Sequence, residues 1–213
     1  MNSTPFIAVE GPIGVGKTSL AKAISEHYKF KLLKEIVEEN PFLGKFYDNI
    51  EEWSFQTEMF FLCNRYKQLE DIQIHYLNQD IPVVADYHIF KNRIFAGQTL
   101  SADHYNKYMQ IFDILTKDMP VPNMIIYLNA SLDTLLERIE LRGRNIEKQI
   151  DPSYLMRLIN DYEKFMAAFQ NEHPEIPVLS FNGDELDFVT QSSDKEKIFA
   201  AIEATLHKGE LTR

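Results

Sequence analysis

Short hydrophobic runs are spaced along the chain between longer stretches of mixed polarity. The runs cover residues 6–9, 31–37, 81–85, 124–128 and 178–181, and each is too short for a helix of ordinary length. They therefore predict buried strands. Between the third and fourth runs, apolar residues recur at spacings that place them on one helical face: Tyr105, Tyr108, Ile111, Phe112 and Leu115. This alternation predicts an α/β fold with a parallel sheet flanked by helices, because parallel strands require long crossovers.

Helix boundaries are marked by capping residues. Asp151 followed by Pro152 is typical of an N-cap and a first-turn proline, and Ser193 with Glu196 has the spacing of a capping box. We expect helices to begin at both places. The longest helical pattern, residues 51–77, is too apolar for a helix that faces only solvent. We expect it to pack against the sheet or against a partner.

Composition and charge narrow the class of protein. The chain has 213 residues, enough for one domain over residues 1–213, and its 45% hydrophobic and 25% charged residues are ordinary for a globular protein. The 22 Lys and Arg against 32 Asp and Glu leave a net charge of -10. Because this charge repels nucleic-acid phosphates and anionic membranes, we expect neither as a partner.

The single cysteine bears on the cellular compartment. Cys63 cannot form an internal disulfide, and its apolar neighbours favour a buried thiol in a reducing environment. No stretch reaches the roughly 18 unbroken apolar residues of a membrane span, and the N-terminus lacks the pattern of a secretion signal. We expect a cytoplasmic protein.

A glycine-rich segment follows the first predicted strand and gives the strongest functional signal. It matches the phosphate-binding pattern G-x-x-x-x-G-K-[ST], and Ser19 continues it into the next helix. Backbone N–H groups can turn inward around phosphate oxygens there, and the helix N-terminus adds partial positive charge. Lys17 supplies charge to the terminal phosphates, and Thr18 offers a hydroxyl to Mg²⁺. This phosphate loop comprises Gly11, Pro12, Ile13, Gly14, Val15, Gly16, Lys17 and Thr18.

The phosphate loop implies ATP and Mg²⁺ but does not name a reaction. Its spacing differs from the dinucleotide pattern G-x-G-x-x-G, which removes the main support for an oxidoreductase. A regulatory GTPase would also carry D-x-x-G and N-K-x-D, and the chain has neither. A small-molecule kinase or another ATP-using enzyme remains.

Two acidic residues lie at or near the ends of predicted strands. Ligands bind at the carboxyl ends of parallel strands, which favours Glu35 and Asp86 over acids elsewhere. Glu35 can accept a proton from an attacking hydroxyl, and Asp86 can hold Mg²⁺ through water. The structural alternatives are that Glu35 is a solvated acid like Glu38 and Glu39, and that Asp86 only ends its strand.

Three arginines cluster in an acidic chain. Arg138 and Arg142 are four residues apart on one helical face, and Arg144 follows Gly143, which is expected to break or loosen the helix. Arginine forks neutralise the charge that spreads over a transferring phosphoryl group while a mobile segment closes. The alternative is a solvated, charged helix end.

Taken together, these segments resemble the deoxynucleoside kinase family. The match is ordered along most of the chain and runs through the phosphate loop, Lys34-Glu35-Ile36-Val37, Glu52-Trp53-Ser54-Phe55, Arg65, Asp86 and Leu141-Arg142-Gly143-Arg144-Asn145. Within the family, the chain resembles the bacterial deoxyguanosine kinases most. The resemblance implies a five-stranded parallel sheet, an arginine-bearing lid near residues 138–150, a homodimer, and transfer of the γ-phosphoryl of ATP to a deoxynucleoside 5′-hydroxyl.

The resemblance also implies roles for individual side chains. Glu35 takes the place of the general base, and the three arginines form the lid. Tyr47 and Glu147 hold the sugar 3′-hydroxyl, while Glu58 and Arg65 face the base. Asp187 and Phe188 resemble the loop beside the ATP adenine, for which an ordinary surface loop is the alternative.

The chain departs from the family at three places. In Asp86-Tyr87-His88, most relatives have an acidic residue followed by Arg and Ser, so Tyr87 replaces an acceptor-site arginine. His88 is either a ligand or base, or an ordinary packed histidine. Glu58 stands where Gln is usual, and Asn92 stands where Asp is usual.

The departures at Glu58 and Asn92 favour guanine as the base. A carboxylate at Glu58 can accept both N1–H and N2–H of guanine, while Arg65 and Asn92 can donate to O6 or N7. Glu58 as a helix anchor is the structural alternative. The hypothesis is a deoxyguanosine kinase. The alternatives are a deoxyadenosine or broader deoxynucleoside kinase, a thymidylate kinase, and a nucleotide-binding regulatory module.

Overall fold

A five-stranded parallel sheet forms the centre of the computed structural model, which describes residues 4–37, 39–144, 147 and 150–211, with side chains through 206. Within those residues the strand order is β2-β3-β1-β4-β5, so the phosphate loop follows the central strand. This confirms the predicted α/β fold. The strands are β1 (Phe6–Glu10), β2 (Lys31–Leu33), β3 (Val83–Ala85), β4 (Met124–Asn129) and β5 (Val178–Asn182).

Helices connect successive strands and cover the sheet. Helix α3 is the predicted long apolar helix, and α6 carries two of the clustered arginines. The helices are α1 (Lys17–Tyr28), α2 (Leu43–Asp48), α3 (Ile50–His75), α4 (Lys91–Thr99), α5 (Ala102–Thr116), α6 (Leu132–Arg142), α7 (Pro152–Glu172) and α8 (Ser192–Leu211).

The predicted boundaries hold at some positions and shift at others. Asp151 caps α7 by accepting a hydrogen bond from the Ser153 N–H, and Gly143 ends α6 in the left-handed conformation. The predicted cap at Ser193 is wrong, because α8 already begins at Ser192. The predicted strand 31–37 is too long. Among the residues that the structure describes, this edge strand pairs with the three residues of β3, and its ladder ends at Leu33.

Two hydrophobic clusters lie on opposite sides of the central strands. Ile7 and Val84 belong to the larger cluster, with residues of α1, α7 and α8. Phe6 and Val83 belong to the smaller one, with residues of α3 and α5. Successive side chains of a strand point to opposite faces, so these short apolar runs serve both clusters.

Helix α3 packs against the sheet, as its apolar pattern predicts. Leu62 and Leu69 are fully buried in the smaller cluster. The prediction that Cys63 is buried is wrong, because its thiol is exposed. Cys63 lies one residue, or about 100°, further round the helix from Leu62 and therefore turns outward. No helix in the described part of the chain is both long enough and apolar enough to span a bilayer.

The first glycine of the phosphate loop is required by its surroundings. Gly11 has a φ of +146°, and a Cβ there would lie 2.2 Å from the Leu128 carbonyl oxygen. That distance is far inside van der Waals contact, and the oxygen belongs to a central strand that cannot shift easily. The start of the loop is therefore held directly against β4.

We expect Gly11→Ala to lower the free energy of unfolding by more than about 2 kcal/mol, because both the backbone angle and the space exclude a side chain. Gly44→Ala in α2 is the matched control, since a Cβ there meets nothing within 4 Å. That variant should be neutral or more stable by about 0.5–1 kcal/mol. Urea denaturation measures both, and equal effects of the two changes contradict the assignment.

Candidate active site

A large cavity opens at the carboxyl edge of the sheet. It has a volume of about 1050 Å³ and is lined by the phosphate loop after β1, Glu35 after β2, Asp86 after β3 and Gly183 after β5. Single ligand pockets usually occupy about 300–1,000 Å³. The cavity therefore lies at the upper end of this range.

The phosphate loop forms one end of this cavity. Gly16 is the N-cap of α1 in a left-handed conformation, which aims the first helical N–H groups at the cavity. The Lys17 ammonium donates hydrogen bonds to the carbonyl oxygens of Gly11 and Pro12, each at 2.8 Å. Burial and the nearby charge of Lys91 lower the pKa of Lys17 to about 8. The loop thus presents one ammonium and a set of backbone donors to an anion.

Asp86 connects the phosphate loop to the segment after β2. One of its carboxylate oxygens accepts a hydrogen bond of 2.6 Å from the Thr18 hydroxyl. The other accepts the Glu35 backbone N–H at 2.7 Å. The two residues that the sequence singled out for Mg²⁺ are therefore in direct contact, and both offer the oxygen atoms that Mg²⁺ prefers.

Glu35 is the centre of a buried ion cluster. Its carboxylate accepts hydrogen bonds from the Arg65 guanidinium, through Nε at 3.0 Å and also through Nη2. The Lys91 ammonium donates to both carboxylate oxygens, at 3.0 and 2.9 Å. Burial alone would raise the pKa of Glu35, but Lys91 and Arg65 outweigh it and hold the pKa well below its usual range. Glu35 is therefore ionised, and it is not a solvated surface acid.

Glu58 is a second buried carboxylate on the cavity wall. The residue is 2% exposed, and its Oε2 atom has no hydrogen-bond partner among the described residues. Burial raises the pKa of Glu58 to about 7, against the opposing charges of Arg65 and Lys91. A buried polar atom without a partner is costly, so this oxygen is suited to a ligand donor.

The three clustered arginines divide into two groups. Arg138 donates to the carbonyl oxygens of Val15 at 3.1 Å and Gly183 at 2.7 Å, and so ties α6 to the phosphate loop. Arg142 and Arg144 lie 3.5 and 3.3 Å from the Glu147 carboxylate. The rest of the predicted lid, residues 145–146 and 148–149, lies outside the described residues.

Tyr47 and Glu147 both belong to the cavity wall. Burial raises the pKa of the Tyr47 hydroxyl above its usual range, and the charges of Glu147 and Glu58 raise it further. Glu147 is 6% exposed. The structure therefore brings the two predicted sugar-binding residues into one electrostatic environment.

Comparison with known proteins identifies the family. The sequence profile of the family described as deoxynucleoside kinase matches residues 7–207. The deoxyguanosine kinase of Bacillus subtilis (strain 168) is 57% identical over 202 residues, which are 95% of this chain and 98% of that protein. The chain belongs to the deoxynucleoside kinase family.

Two further kinases are similar to this kinase over most of its chain. The deoxyadenosine/deoxycytidine kinase of the same Bacillus strain is 32% identical over 212 residues, covering 95% of this chain and 93% of that one. The structure of deoxyadenosine kinase from M. mycoides with bound dATP has a TM-score of 0.80 at 26% identity. It covers 93% of this chain and 99% of that chain. The fold is therefore the P-loop kinase fold of this family.

Two residues expected to bind substrate do not line the cavity of the kinase. The Tyr87 side chain is fully buried in the smaller cluster, and its hydroxyl donates to Gln68 at 2.7 Å. Asn92 is also fully buried, with its amide bonded to the Tyr108 hydroxyl and its oxygen accepting from Arg65. The Asn92 oxygen therefore helps to orient the Arg65 guanidinium, and a contact of Asn92 with the base stays a prediction.

His88 is a packed histidine in this kinase. Its Nε2 lies 3.1 Å from the Pro120 carbonyl oxygen, and its ring contacts those of Phe6 and Phe90. Burial lowers the pKa of His88 to about 4, so the ring is neutral at physiological pH. This favours the structural alternative over a ligand or base.

Two charged residues of the kinase, Lys91 and Glu10, were not predicted from the sequence. Lys91 binds Glu35, as described above. Glu10, the last residue of β1, accepts the His88 backbone N–H at 2.5 Å and the Tyr162 hydroxyl at 3.2 Å. Burial raises the pKa of Glu10. The sequence does carry a signal for Glu10, because a charged residue stands directly before Gly11 at the end of an apolar run. Lys91 belongs to no local motif.

Asp187 and Phe188 line the cavity beside the phosphate loop. Phe188 is 3% exposed, and a Cβ on Gly16 would lie 3.0 Å from its ring. The Asp187 carboxylate accepts the backbone N–H groups of Val189 and Thr190 and so shapes its own loop. Both residues are thus placed near the donor end of the cavity, with Phe188 covering the loop.

We expect Glu35→Gln to lower kcat by about 10²- to 10⁴-fold, because an amide cannot accept the hydroxyl proton. The melting temperature should also fall, because Arg65 and Lys91 would lose their buried anion. Glu39→Gln is the control, since Glu39 is exposed and does not line the cavity. Steady-state kinetics and thermal melting measure both effects, and an unchanged kcat in folded Glu35→Gln contradicts the assignment.

Proposed function

We propose that this kinase transfers the γ-phosphoryl group of ATP to the 5′-hydroxyl of deoxyguanosine, giving dGMP and ADP. The observation that carries the choice of substrate is Glu58, a buried carboxylate on the cavity wall with one oxygen that lacks a protein partner. The name of the Bacillus relative, deoxyguanosine kinase, agrees with that choice.

The donor end of the cavity suits ATP with Mg²⁺. The phosphate loop offers backbone donors and the Lys17 ammonium to the triphosphate. The contact between Thr18 and Asp86 supplies a hydroxyl and a carboxylate. These fit a Mg²⁺ ion that takes its other ligands from phosphate and water. When bound, Mg²⁺ neutralises charge on the phosphate oxygens.

The acceptor end holds the group that receives the proton. The 5′-hydroxyl oxygen bonds to the γ-phosphorus while the bond from that phosphorus to the leaving ADP oxygen breaks, and the hydroxyl proton passes to Glu35. Arg142 and Arg144 approach the transferring group from the lid and balance its charge. Tyr47 and Glu147 hold the sugar 3′-hydroxyl and so orient the 5′-hydroxyl.

Base choice follows from the hydrogen-bonding groups of Glu58. An ionised carboxylate is an acceptor only, and guanine presents two adjacent donors, N1–H and N2–H. Arg65 already donates hydrogen bonds to Glu35 and Asn92. Its part in base recognition is therefore to supply positive charge to the cavity wall near Glu58. Glu58 has no ion pair with Arg65 among the described residues, and its Oε2 atom has no hydrogen-bond partner there, which leaves that oxygen to the base.

Deoxyadenosine is the second candidate, and the raised pKa of Glu58 favours it at low pH. A neutral carboxyl group donates one hydrogen bond and accepts one, which matches adenine N1 and N6. Relatives named for deoxyadenosine agree with this alternative. A thymidylate kinase takes an acceptor that already bears a phosphate, which would favour a fixed basic group in the acceptor site. Tyr87 supplies none, but Lys91 places a cation next to Glu35, so position 87 alone does not exclude that activity. The match to the deoxynucleoside kinase family favours a nucleoside acceptor.

The proposed function is tested by turnover with ATP, Mg²⁺ and each of the four deoxynucleosides. We expect the highest kcat/KM for deoxyguanosine, with dGMP identified as the product. Lys17→Ala is the blank for contaminating kinases, because it removes the loop charge and should abolish most transfer. Equal activity in the blank, or a clear preference for a pyrimidine deoxynucleoside, overturns the proposal.

The closing lid at residues 138–150, the homodimer and the cytoplasmic location stay predictions. We propose a dimer formed through the outer faces of α3 and α5, where Ile74 and Ile114 are 51% and 76% exposed. Burial of such side chains is a usual driving force for self-association. Sedimentation equilibrium of the native chain and of Ile114→Glu measures this assembly.

Replacing Glu58 by Gln should shift substrate preference from deoxyguanosine toward deoxyadenosine. The amide keeps the shape but sets an N–H group against a guanine donor, which costs about 1–3 kcal/mol, or roughly 5- to 150-fold in kcat/KM. Deoxyadenosine should lose little. Glu52→Gln, an exposed change on the same helix, is the control. Equal losses for both substrates together with a lower melting temperature contradict base recognition by Glu58.

Substrate preference should also depend on pH. Because burial raises the pKa of Glu58 to about 7, the ionised form that accepts both guanine donors is present above that pH and is lost below it. Lowering the pH from 8 to 6 should reduce kcat/KM for deoxyguanosine by about tenfold, and its ratio to that for deoxyadenosine by more than about tenfold, because the neutral form favours adenine. The same titration on Glu58→Gln should give a constant ratio. A ratio that varies equally in both proteins contradicts the assignment to Glu58.

A further inference from the structure

Lys91 is a buried lysine that the sequence motifs do not explain. It is the first residue of α4 and is 5% exposed, yet it lines the active-site cavity. Its ammonium donates to both oxygens of Glu35, at 3.0 and 2.9 Å. Lysine is almost never buried to this degree without a partner, and the partner of Lys91 is the Glu35 carboxylate.

Lys91 also lies within electrostatic reach of the phosphate loop. Burial lowers the pKa of Lys17, and the charge of Lys91 lowers it further. The charge of Lys91 likewise opposes the effect of burial on Glu10, which directly precedes the loop. Lys91 therefore contacts the Glu35 carboxylate directly, and its charge acts on the Lys17 ammonium of the phosphate loop. All three side chains line the same cavity.

The residue at position 87 does not supply a charge there. Tyr87 points into the smaller hydrophobic cluster, and its hydroxyl bonds to Gln68. Lys91 follows four residues later, and its side chain reaches Glu35 from the start of α4. The cation next to Glu35 therefore comes from position 91 and not from position 87.

We infer that Lys91 is the acceptor-site cation of this kinase: it holds the Glu35 carboxylate against the 5′-hydroxyl and then binds the transferred phosphoryl group. This inference rests on the proposed function. An ammonium has three donors, and Glu35 takes two of them. When Glu35 receives the hydroxyl proton it becomes a neutral, weaker acceptor, and the ammonium shifts to the phosphate that now carries the charge. Lys91 keeps its own protons throughout.

Arg65, the other cation on Glu35, is less able to make this shift. Its guanidinium is bonded to Glu35 and Asn92 and lies 4.7 Å from the Phe61 ring centroid. A planar fork fixed on three sides holds one geometry, whereas an ammonium on a flexible stem can change partners. The charge of Lys17 also acts on Glu35. The charge of Glu35 in turn acts on other titratable groups, which include Glu10, Glu58, Tyr47 and Tyr87.

The test separates binding of the phosphate from general damage to the site. Deoxyguanosine and dGMP are titrated by calorimetry, without ATP, into the native chain, Lys91→Gln and Lys91→Arg, and kcat and KM are measured for each. Lys107→Gln is the control for loss of one positive charge, because Lys107 is exposed and pairs only with Asp103 among the described residues.

In Lys91→Gln we expect dGMP affinity to fall by about tenfold or more while deoxyguanosine affinity changes by less than about threefold. The kcat should fall by about 10²-fold with KM for deoxyguanosine nearly unchanged. Lys91→Arg should recover at least about tenfold in kcat. Equal losses of dGMP and deoxyguanosine affinity, or no recovery in a folded Lys91→Arg, overturn the inference and leave Lys91 as a structural ion-pair residue.

A second comparison keeps the test decisive if Lys91→Gln does not fold. Removing both partners of a buried pair is tolerated better than removing one, so Glu35→Gln is compared with Glu35→Gln/Lys91→Gln. The double variant should bind dGMP about tenfold more weakly, relative to deoxyguanosine, than Glu35→Gln does. An equal ratio overturns the inference. Failure of the proposed function is distinguishable, because it shows in the native chain as absence of deoxyguanosine phosphorylation.

Discussion

The buried carboxylate of Glu35 is the interaction on which the rest of the active site depends. An ionised group inside a protein is costly unless cations and hydrogen bonds compensate it, and Arg65 from α3 and Lys91 from α4 do so here. These contacts draw two helices to the end of an edge strand. The same cluster that stabilises the charge therefore also closes the acceptor side of the cavity, so packing and chemistry have one origin.

A second connection places this cluster next to the donor site. Asp86 bonds to Thr18 on the phosphate loop and to the backbone of Glu35, so one carboxylate sets the separation between the loop and the acceptor. Glu10, the residue directly before the loop, holds the backbone of His88 after β3. The transferring group needs near-ångström positioning, and short hydrogen bonds between strand ends are stiff enough to supply it.

Environment assigns different properties to the two central carboxylates. Glu35 is buried among cations and keeps its charge, with its pKa far below the usual range. Glu58 is more deeply buried, and opposing charges only partly offset burial, so its pKa is about 7. Glu35 is suited to accept a proton, because it starts as an anion. Glu58 is suited to hydrogen-bond a ligand, and its donors and acceptors change with its protonation state. Opposite shifts of neighbouring acids are a common way to divide tasks in an active site.

The sequence by itself determined the parallel sheet, the phosphate loop, most of the cavity wall and the family. These features are local, because apolar runs, glycine spacing and capping residues act within a few positions of the chain. Tertiary structure decided that Tyr87 and Asn92 do not line the cavity, that Cys63 is exposed, and that Lys91 contacts Glu35 in the cavity wall. Each of these depends on the rotation of a helix, or the direction of a strand exit, relative to elements distant in sequence. No spacing along the chain encodes that relation, so it exists only once the helices are packed on the sheet.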